Sequence, residues 1–429
     1  MKEKTIVLSA DALVTEDLKL LETQPNYRRY VMGGAKTESM CSVYPSVTYA
    51  AHTSMATGCL PGKTGILGNL EKLEPGKYDW VLEHKFVKVP DIFTAAKKAG
   101  LTTAAVFWPV TGNHPDIDWL INEWPGVAPD IPIVKALKSQ GSSKEVLDIV
   151  RRYEKEMVRT GIHPGCDYFV ADCAAEIIRR YEPDLTMLHP ANVDGARHGS
   201  GVYSEAVEQA VKETDDMIGI VCRAAEATGK PFNFILVSDH GQLNTTRIVN
   251  VNTLFADLGW IDADKSGKVT DWRAWSISTG LSSYVILRDA QDEGFRAEVE
   301  RELRGMQRDG LCGFGEVLNA EQAKERYGVY GPFSFMLETD GFTGFGDDWK
   351  HPSVQRHNRD LTDYRQGWAS HGHMPEKGPQ PVFCAKGPAF KENCTGARAN
   401  IWDLAPTLAK VLGIPYYACD GRALTELLK

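Results

Sequence analysis

Three pairs of metal-ligand side chains punctuate the sequence: Asp194 with His198 in VDGARHG, Asp239 with His240 in SDHG, and His371 with His373 in SHGHMP. A single D-H-G is most often a turn. Together with Asp11, which ends the apolar run TIVLSAD, these groups supply enough carboxylate oxygens and imidazole nitrogens for two divalent ions. Nitrogen and oxygen donors of this kind suit zinc or another divalent transition ion. Two such ions side by side polarise a phosphoryl group, activate an attacking oxygen and stabilise a leaving oxygen. The attacking group is then the missing part, and VYPSVTYAAHTSMATG (residues 43–58) offers Thr48. Its hydroxyl either caps a helix that starts in AAHTSMAT, as threonine does at helix N-termini, or is a nucleophile held at that helix start.

Such groups need rigid elements to bring them together. Short apolar runs ending in polar residues, TIVLSAD (5–11), LTMLHPANVD (185–194) and FNFILVSDHG (232–241), have the pattern of buried parallel strands. Helical patterns lie between them: VPDIFTAAKKAG, YFVADCAAEIIRRYE and YSEAVEQAVKETDDMIGIVCRAAEATG. The alternation predicts an α/β protein, a doubly wound and mostly parallel sheet with helices on both faces. In such sheets ligands bind beyond the carboxyl ends of the strands, where Asp11, Asp194, Asp239 and His240 fall. One domain over residues 1–429 is expected, with an insertion at about 110–165, rich in Pro, Gly and Trp, acting as a cap. A second insertion at about 257–365 reads as a small subdomain, where SSYVILRD and EGFRAEVERELRGM supply a strand and a helix. The chain returns to the main sheet with PVFCAKG and closes on the amphipathic helix IWDLAPTLAKVLGIP, ended by Gly and Pro.

Composition narrows the partners. At 429 residues and 43% hydrophobic, the chain can bury a large core, which excludes a disordered or fibrous protein. A net charge of −9 argues against a groove that tracks long nucleic acid. Nine cysteines without a C-x-x-C pair fit a reducing compartment and no zinc-thiolate site. No leader pattern opens the sequence and no apolar run approaches the roughly 18 residues of a membrane span, so a cytoplasmic protein without membrane contact is expected.

In their order and spacing the motifs resemble the alkaline phosphatase superfamily, and within it the nucleotide pyrophosphatase/phosphodiesterase branch. That branch has an Asp ending the first strand, a Thr-(Phe/Tyr)-x-x-His element leading to T-G-x-x-P-x-x-x-G-I and an Asn, then D-x-x-x-H, S-D-H-G and a late H-G. They stand here as Asp11, Thr48 to His52, TGCLPGKTGILGN ending in Asn69, Asp194 to His198, SDHG at 238–241, and His371-Gly372. IWDLAPTLAKVLGIP…CDGRAL is similar to the superfamily's last helix and terminal loop. The resemblance implies one ion held by Asp194, His198 and His371, and a second held by Asp11, Asp239 and His240 with the Thr48 oxygen beside or bound to it. It also implies that Thr48 attacks phosphorus to form a covalent phospho-enzyme, and that the Asn69 amide donates to a phosphoryl oxygen. The substrate class is a small phosphorylated or phosphonate compound, a nucleotide among the candidates. From below, the chemistry is coherent: a dication makes the threonine alkoxide accessible, and a helix N-terminus offers N–H groups to phosphoryl oxygens.

Departures from the pattern mark the open positions. Ala50-Ala51 replaces the usual Pro-Asn, and Arg197 stands where the branch has Gly before the histidine; an arginine there contacts an anionic substrate or points to solvent. Tyr49 either stacks on a nucleobase or packs, and Trp108 lines the pocket where the cap begins. His52 buttresses the nucleophile helix, and His373 lies outside the aligned ligands. A phosphonoacetate-type C–P hydrolase is the alternative on the same metal core, with Lys212 and Arg197 as cations for a substrate carboxylate. A sulfatase would need C/S-x-P-x-R, and Cys59 to Lys63 lacks the Arg. A classical monoesterase would pair a Ser nucleophile with an Arg and a third metal site, and a phosphomutase, which is an isomerase, would carry a larger inserted domain. A non-catalytic relative would have lost ligands that are all present.

Overall fold

Alternating apolar side chains along the first strand decide which helices cover which face. Ile6 and Leu8 point to one side of the sheet and Val7 to the other, and each set is completely or almost completely buried. The computed structural model describes all residues except 1, 2, 77, 78, 124–131, 156, 158–162 and 358–363. Its main sheet gathers β1 (Lys4–Ser9), β2 (Ala35–Thr37), β3 (Thr103–Val106), β4 (Trp119–Ile121), β5 (Leu185–Leu188), β6 (Phe232–Val237), β7 (Phe383–Lys386) and β8 (Cys394–Gly396). They lie in the order β8-β2-β7-β6-β1-β5-β3-β4. Every pairing is parallel except those of β7, which runs antiparallel to β6 and β2. The α/β, mostly parallel sheet expected from the sequence is therefore the fold observed.

The helices that matter for the site are α1 (Thr48–Thr57), α2 (Gly165–Tyr181), α3 (Asn192–Ser200), α4 (Glu205–Ala227) and α5 (Leu404–Leu412). On one face Val170 and Ile177 of α2 and Met217 and Val221 of α4 pack with Ile6 and Leu8. On the other, Ala51 and Met55 of α1 and Leu404 and Leu408 of α5 pack with Val7 and Ile235. Each fully buried aliphatic side chain in these layers contributes roughly 1.5–3 kcal/mol of transfer free energy. All ten residues of α1 are buried, so the helix is a core element on every side.

The two expected insertions are built differently. The stretch taken as an insertion from residue 110 contributes β4, the edge strand of the main sheet, which pairs with β3. Its described helices, Ile133–Ser139 and Lys144–Tyr153, bury Leu137, Val146 and Val150 in the same apolar layer as α2. The rest of that stretch, 124–131, 156 and 158–162, lies outside the described residues. In the second insertion, Ala274–Ser278, Ser282–Leu287, Phe335–Thr339 and Phe314–Asn319 form a four-stranded antiparallel sheet in that order. Helices Glu293–Asp309 and Ala320–Tyr327 accompany it, and Val285, Leu303 and Leu337 belong to an apolar cluster of its own. Among the described residues no helix is long and apolar enough to cross a membrane.

Candidate active site

The site forms where three neighbouring parallel strands, β6, β1 and β5, end. Asp11 follows β1, Asp239 and His240 follow β6, and β5 leads through His189 into α3, which carries Asp194 and His198. The i, i+4 spacing places Asp194 and His198 on one face of that helix, with Asp194 Oδ2 3.2 Å from His198 Nε2. His371 arrives from the loop after the main insertion, its Nε2 3.9 Å from Asp194 Oδ1. The loop is fixed from beside the nucleophile, because the Gly372 N–H donates to the Ser46 carbonyl at 2.9 Å. Gly372 has φ +97°, and a Cβ there would lie 2.3 Å from the Thr279 carbonyl oxygen, so only glycine fits.

Ligand atoms of Asp194, His198 and His371 lie within 4.8 Å of one another, and so do those of Asp11, Asp194 and His240. Asp194 thus stands between the two sets, and the His240 and His371 rings stack across the junction at 4.1 Å. Asp239 joins the second set through Oδ2, 3.1 Å from His240 Nε2, while Asp11 Oδ1 is 3.6 Å from the same nitrogen.

Thr48 is the first residue of α1 rather than its cap. Val47 holds the N-cap position, and no side chain makes the capping bond. The threonine hydroxyl instead lies 3.3 Å from His240 Nε2, at the Asp11 and Asp239 end of the cluster. His52, one turn on, donates from Nδ1 to the Thr48 carbonyl at 2.8 Å, and its Nε2 meets the Ser9 hydroxyl at 2.9 Å, which ties α1 to the end of β1. Asn69 Oδ1 accepts the Tyr49 N–H at 3.0 Å, so the amide's acceptor end is engaged by the start of α1.

The electrostatics ask for positive charge. Asp11 Oδ1 and Asp239 Oδ2 are buried with no hydrogen-bond donor among the described residues. Burial, and then the charges of Asp194 and Glu123, raise the Asp11 carboxyl well above the usual carboxylate range. Burial, followed by Asp11, does the same to Asp239. Burial and neighbouring imidazoles hold His240 and His371 well below the ordinary histidine value, leaving them neutral lone-pair donors. Burial alone would raise Asp194, but His198 and His371 outweigh it and hold that carboxyl low. His198 donates from Nδ1 to the Ala369 carbonyl at 2.7 Å, which turns Nε2 toward Asp194. Buried carboxylate oxygens without donors, set among neutral imidazoles, fit divalent ions at both positions.

Several partners of the ligands were not singled out from the sequence. His189 Nε2 is 2.9 Å from Asp11 Oδ2, and the Gln242 amide donates to Asp194 Oδ1. Glu123 carries a carboxyl that burial raises to about 7, and His189 Nδ1 lies 3.8 Å from it. His189 and Glu123 do follow the strand ends of β5 and β4, which is the signal that could have found them.

Three expected substrate contacts, Arg197, Trp108 and Lys212, face other surroundings, and Tyr49 packs beside the nucleophile. Arg197 is fully buried and turned away from the ligands: it pairs with Asp17 and donates to the carbonyls of Ala12 and Val202. A guanidinium cannot be left unpaired in a core, and Asp17 supplies its counter-charge. Trp108 is a buried core residue under α1, edge-on to His52 at 4.9 Å. The Tyr49 ring is packed against Trp80 at 5.2 Å in a cluster with Ile66 and Val81, so packing describes it rather than base stacking. Lys212 is exposed on α4, and its helix neighbours Gln209, Ala210 and Glu213 line the cavity beside Asp194 in its place. His373 stays outside the ligand sets, with Nε2 donating to the Lys377 carbonyl at 3.1 Å.

Comparison with known proteins agrees in sequence and in fold. Residues 5–331 match the family model of type I phosphodiesterase/nucleotide pyrophosphatase. Ectonucleotide pyrophosphatase/phosphodiesterase family member 1 of Rattus norvegicus is 26% identical over 237 residues, which are 52% of this chain and 22% of that protein. Its Homo sapiens counterpart is 24% identical over 236 residues with the same shares, so the match spans 22% of the length of these relatives. Solved structures of murine ectonucleotide pyrophosphatase/phosphodiesterase 5, one an inactive form in complex with AMP, superpose with a TM-score of 0.69. They cover 100% of both chains at 17% identity, a likeness of fold. Matched by the family model over most of its length, the chain belongs to the type I phosphodiesterase/nucleotide pyrophosphatase family.

Proposed function

We propose that the chain is a metal-dependent phosphodiester hydrolase in which Thr48 attacks phosphorus and carries the phosphoryl group until water releases it. The observation that carries this reading is the Thr48 hydroxyl 3.3 Å from His240 Nε2, at one end of a double ligand cluster whose other end is Asp194, His198 and His371. The family is metal-dependent, and zinc is the ion that best suits these nitrogen and oxygen donors. Asp194, His198 and His371 would hold one dication and Asp11, Asp239 and His240 the other, which would supply a lowered pKa at the threonine hydroxyl and charge stabilisation at the phosphoryl and leaving oxygens. The chain does the rest. His52 and Asn69 hold the start of α1, whose N–H groups and dipole favour the phosphoryl oxygens. His189 orients Asp11, and Gln242 orients Asp194.

A nucleotide-type diester or pyrophosphate is the proposed substrate, in keeping with the family and with the AMP bound by the murine relative. The positions of Arg197 and Lys212 weigh against phosphonoacetate-type C–P cleavage, since neither cation lines the cavity beside the ligands. The zinc-loaded protein should hydrolyse bis-(p-nitrophenyl) phosphate faster than p-nitrophenyl phosphate. Preference for the monoester, or phosphate release from phosphonoacetate with both esters untouched, would reject the diesterase reading.

A further inference from the structure

An in-line displacement at phosphorus places the leaving oxygen opposite the attacking one. Thr48 sits at the His240 and Asp11 end, so the leaving oxygen belongs at the Asp194, His198 and His371 end. A cavity of about 710 Å³ opens there, lined by Asp194, Gly195 and His198 and by the small apolar Pro164, Ala206 and Ala210. His163 forms part of its wall. Its Nδ1 lies 2.7 Å from Asp167 Oδ2, and Asp167 is itself fixed by the Ala191 N–H, 2.6 Å from Oδ1. With Nδ1 committed to that carboxylate, Nε2 is the nitrogen left to face the site. The ring lies over Gly195, the residue after Asp194: a Cβ there would come within 2.7 Å of Cδ2 and 3.2 Å of Nε2. Glycine at 195 is thus what lets the imidazole approach the end of the site opposite Thr48.

Resting on the phosphodiesterase reading, we propose that this cavity receives the leaving group and that His163, oriented by Asp167, protonates the leaving oxygen. As the Thr48 oxygen bonds to phosphorus and the bond to the leaving oxygen breaks, the electron pair stays on that oxygen and takes the Nε2 proton. His163 ends neutral, its Nδ1–H still donated to Asp167, and the Thr48 proton has passed to solvent. In the second half, water enters from the vacated side, its oxygen bonds to phosphorus and its proton passes to solvent, while Nε2 takes back a proton from solvent. The bond to Thr48 breaks, and the threonine is reprotonated from solvent. The Asp167 carboxylate on α2 favours the charged form of His163, while burial opposes it.

The test is a series of aryl and alkyl phosphodiesters of increasing leaving-group pKa, run on the zinc-loaded wild type, His163→Gln and Asp167→Asn with bound metal measured in parallel. A proton donor matters little to p-nitrophenolate and greatly to an alkoxide. His163→Gln should keep p-nitrophenyl turnover within about 3-fold and lose about 100-fold or more on alkyl leaving groups. Asp167→Asn should fall between, and carries the test alone if His163→Gln does not fold. A loss equal for every leaving group, or no loss, would overturn the role of His163. A wild type that cleaves no diester at all would instead reject the underlying phosphodiesterase reading.

Discussion

At the scale of single residues, Arg197 shows how far a sequence neighbour can be from a spatial one. It precedes the ligand His198, but successive helical residues point about 100° apart, and its guanidinium goes to Asp17 in the core. Arg197→Met should therefore cost about 3–5 kcal/mol in denaturant unfolding by stranding Asp17, while KM for a diester stays near the wild-type value. A raised KM with unchanged stability would restore the arginine as a substrate contact. Thr48→Ala should abolish turnover and keep bound metal, because the carboxylate and imidazole ligands remain; metal analysis beside an activity assay decides it. The Asp, His and Thr motifs could be read in sequence since each is a local pattern at a strand end. Gln242 and His163 could not, because their value lies in a contact with a residue remote in the chain.

Among the elements, α1 is unusual in having no exposed face, and AAHTSMAT explains why it can. Small side chains let it pack closely between β1 and the closing helix, so the position of Thr48 is set by the core itself. Ala51→Leu should cost about 1–3 kcal/mol through overpacking and should lower kcat by displacing the hydroxyl. Unchanged kcat in a destabilised variant would separate the packing of α1 from the placement of Thr48. The long apolar strands and amphipathic helices were legible from periodicity. Two elements were not. The edge strand β4 has three residues, too few to show a period beside the Pro- and Gly-rich segment that follows. VDGARHG, with two glycines, reads as a loop, yet forms α3, where packing overrides propensity.

For the whole molecule, the parallel sheet concentrates acidic ligands at one end, and that arrangement trades stability for a site. Asp11 and Asp239 have pKa values raised in the folded state, so their favourable contribution is present below the ordinary carboxylate value of about 4 and is lost as pH rises through the raised values. Metal-free Asp239→Asn should thus be more stable than metal-free wild type at neutral pH, by about 1 kcal/mol or more, with the gain vanishing below about pH 4. Thermal melts in chelator across that range check the sign; a variant less stable at neutral pH would contradict it. The same cluster makes a covalent phospho-threonine the central claim. It is tested most directly by the stereochemical course at phosphorus, using a diester made chiral by sulfur and oxygen isotope substitution. Two successive in-line displacements, through Thr48 and then water, predict net retention of configuration. Inversion would mean that water attacks the diester directly and that Thr48 is not the nucleophile.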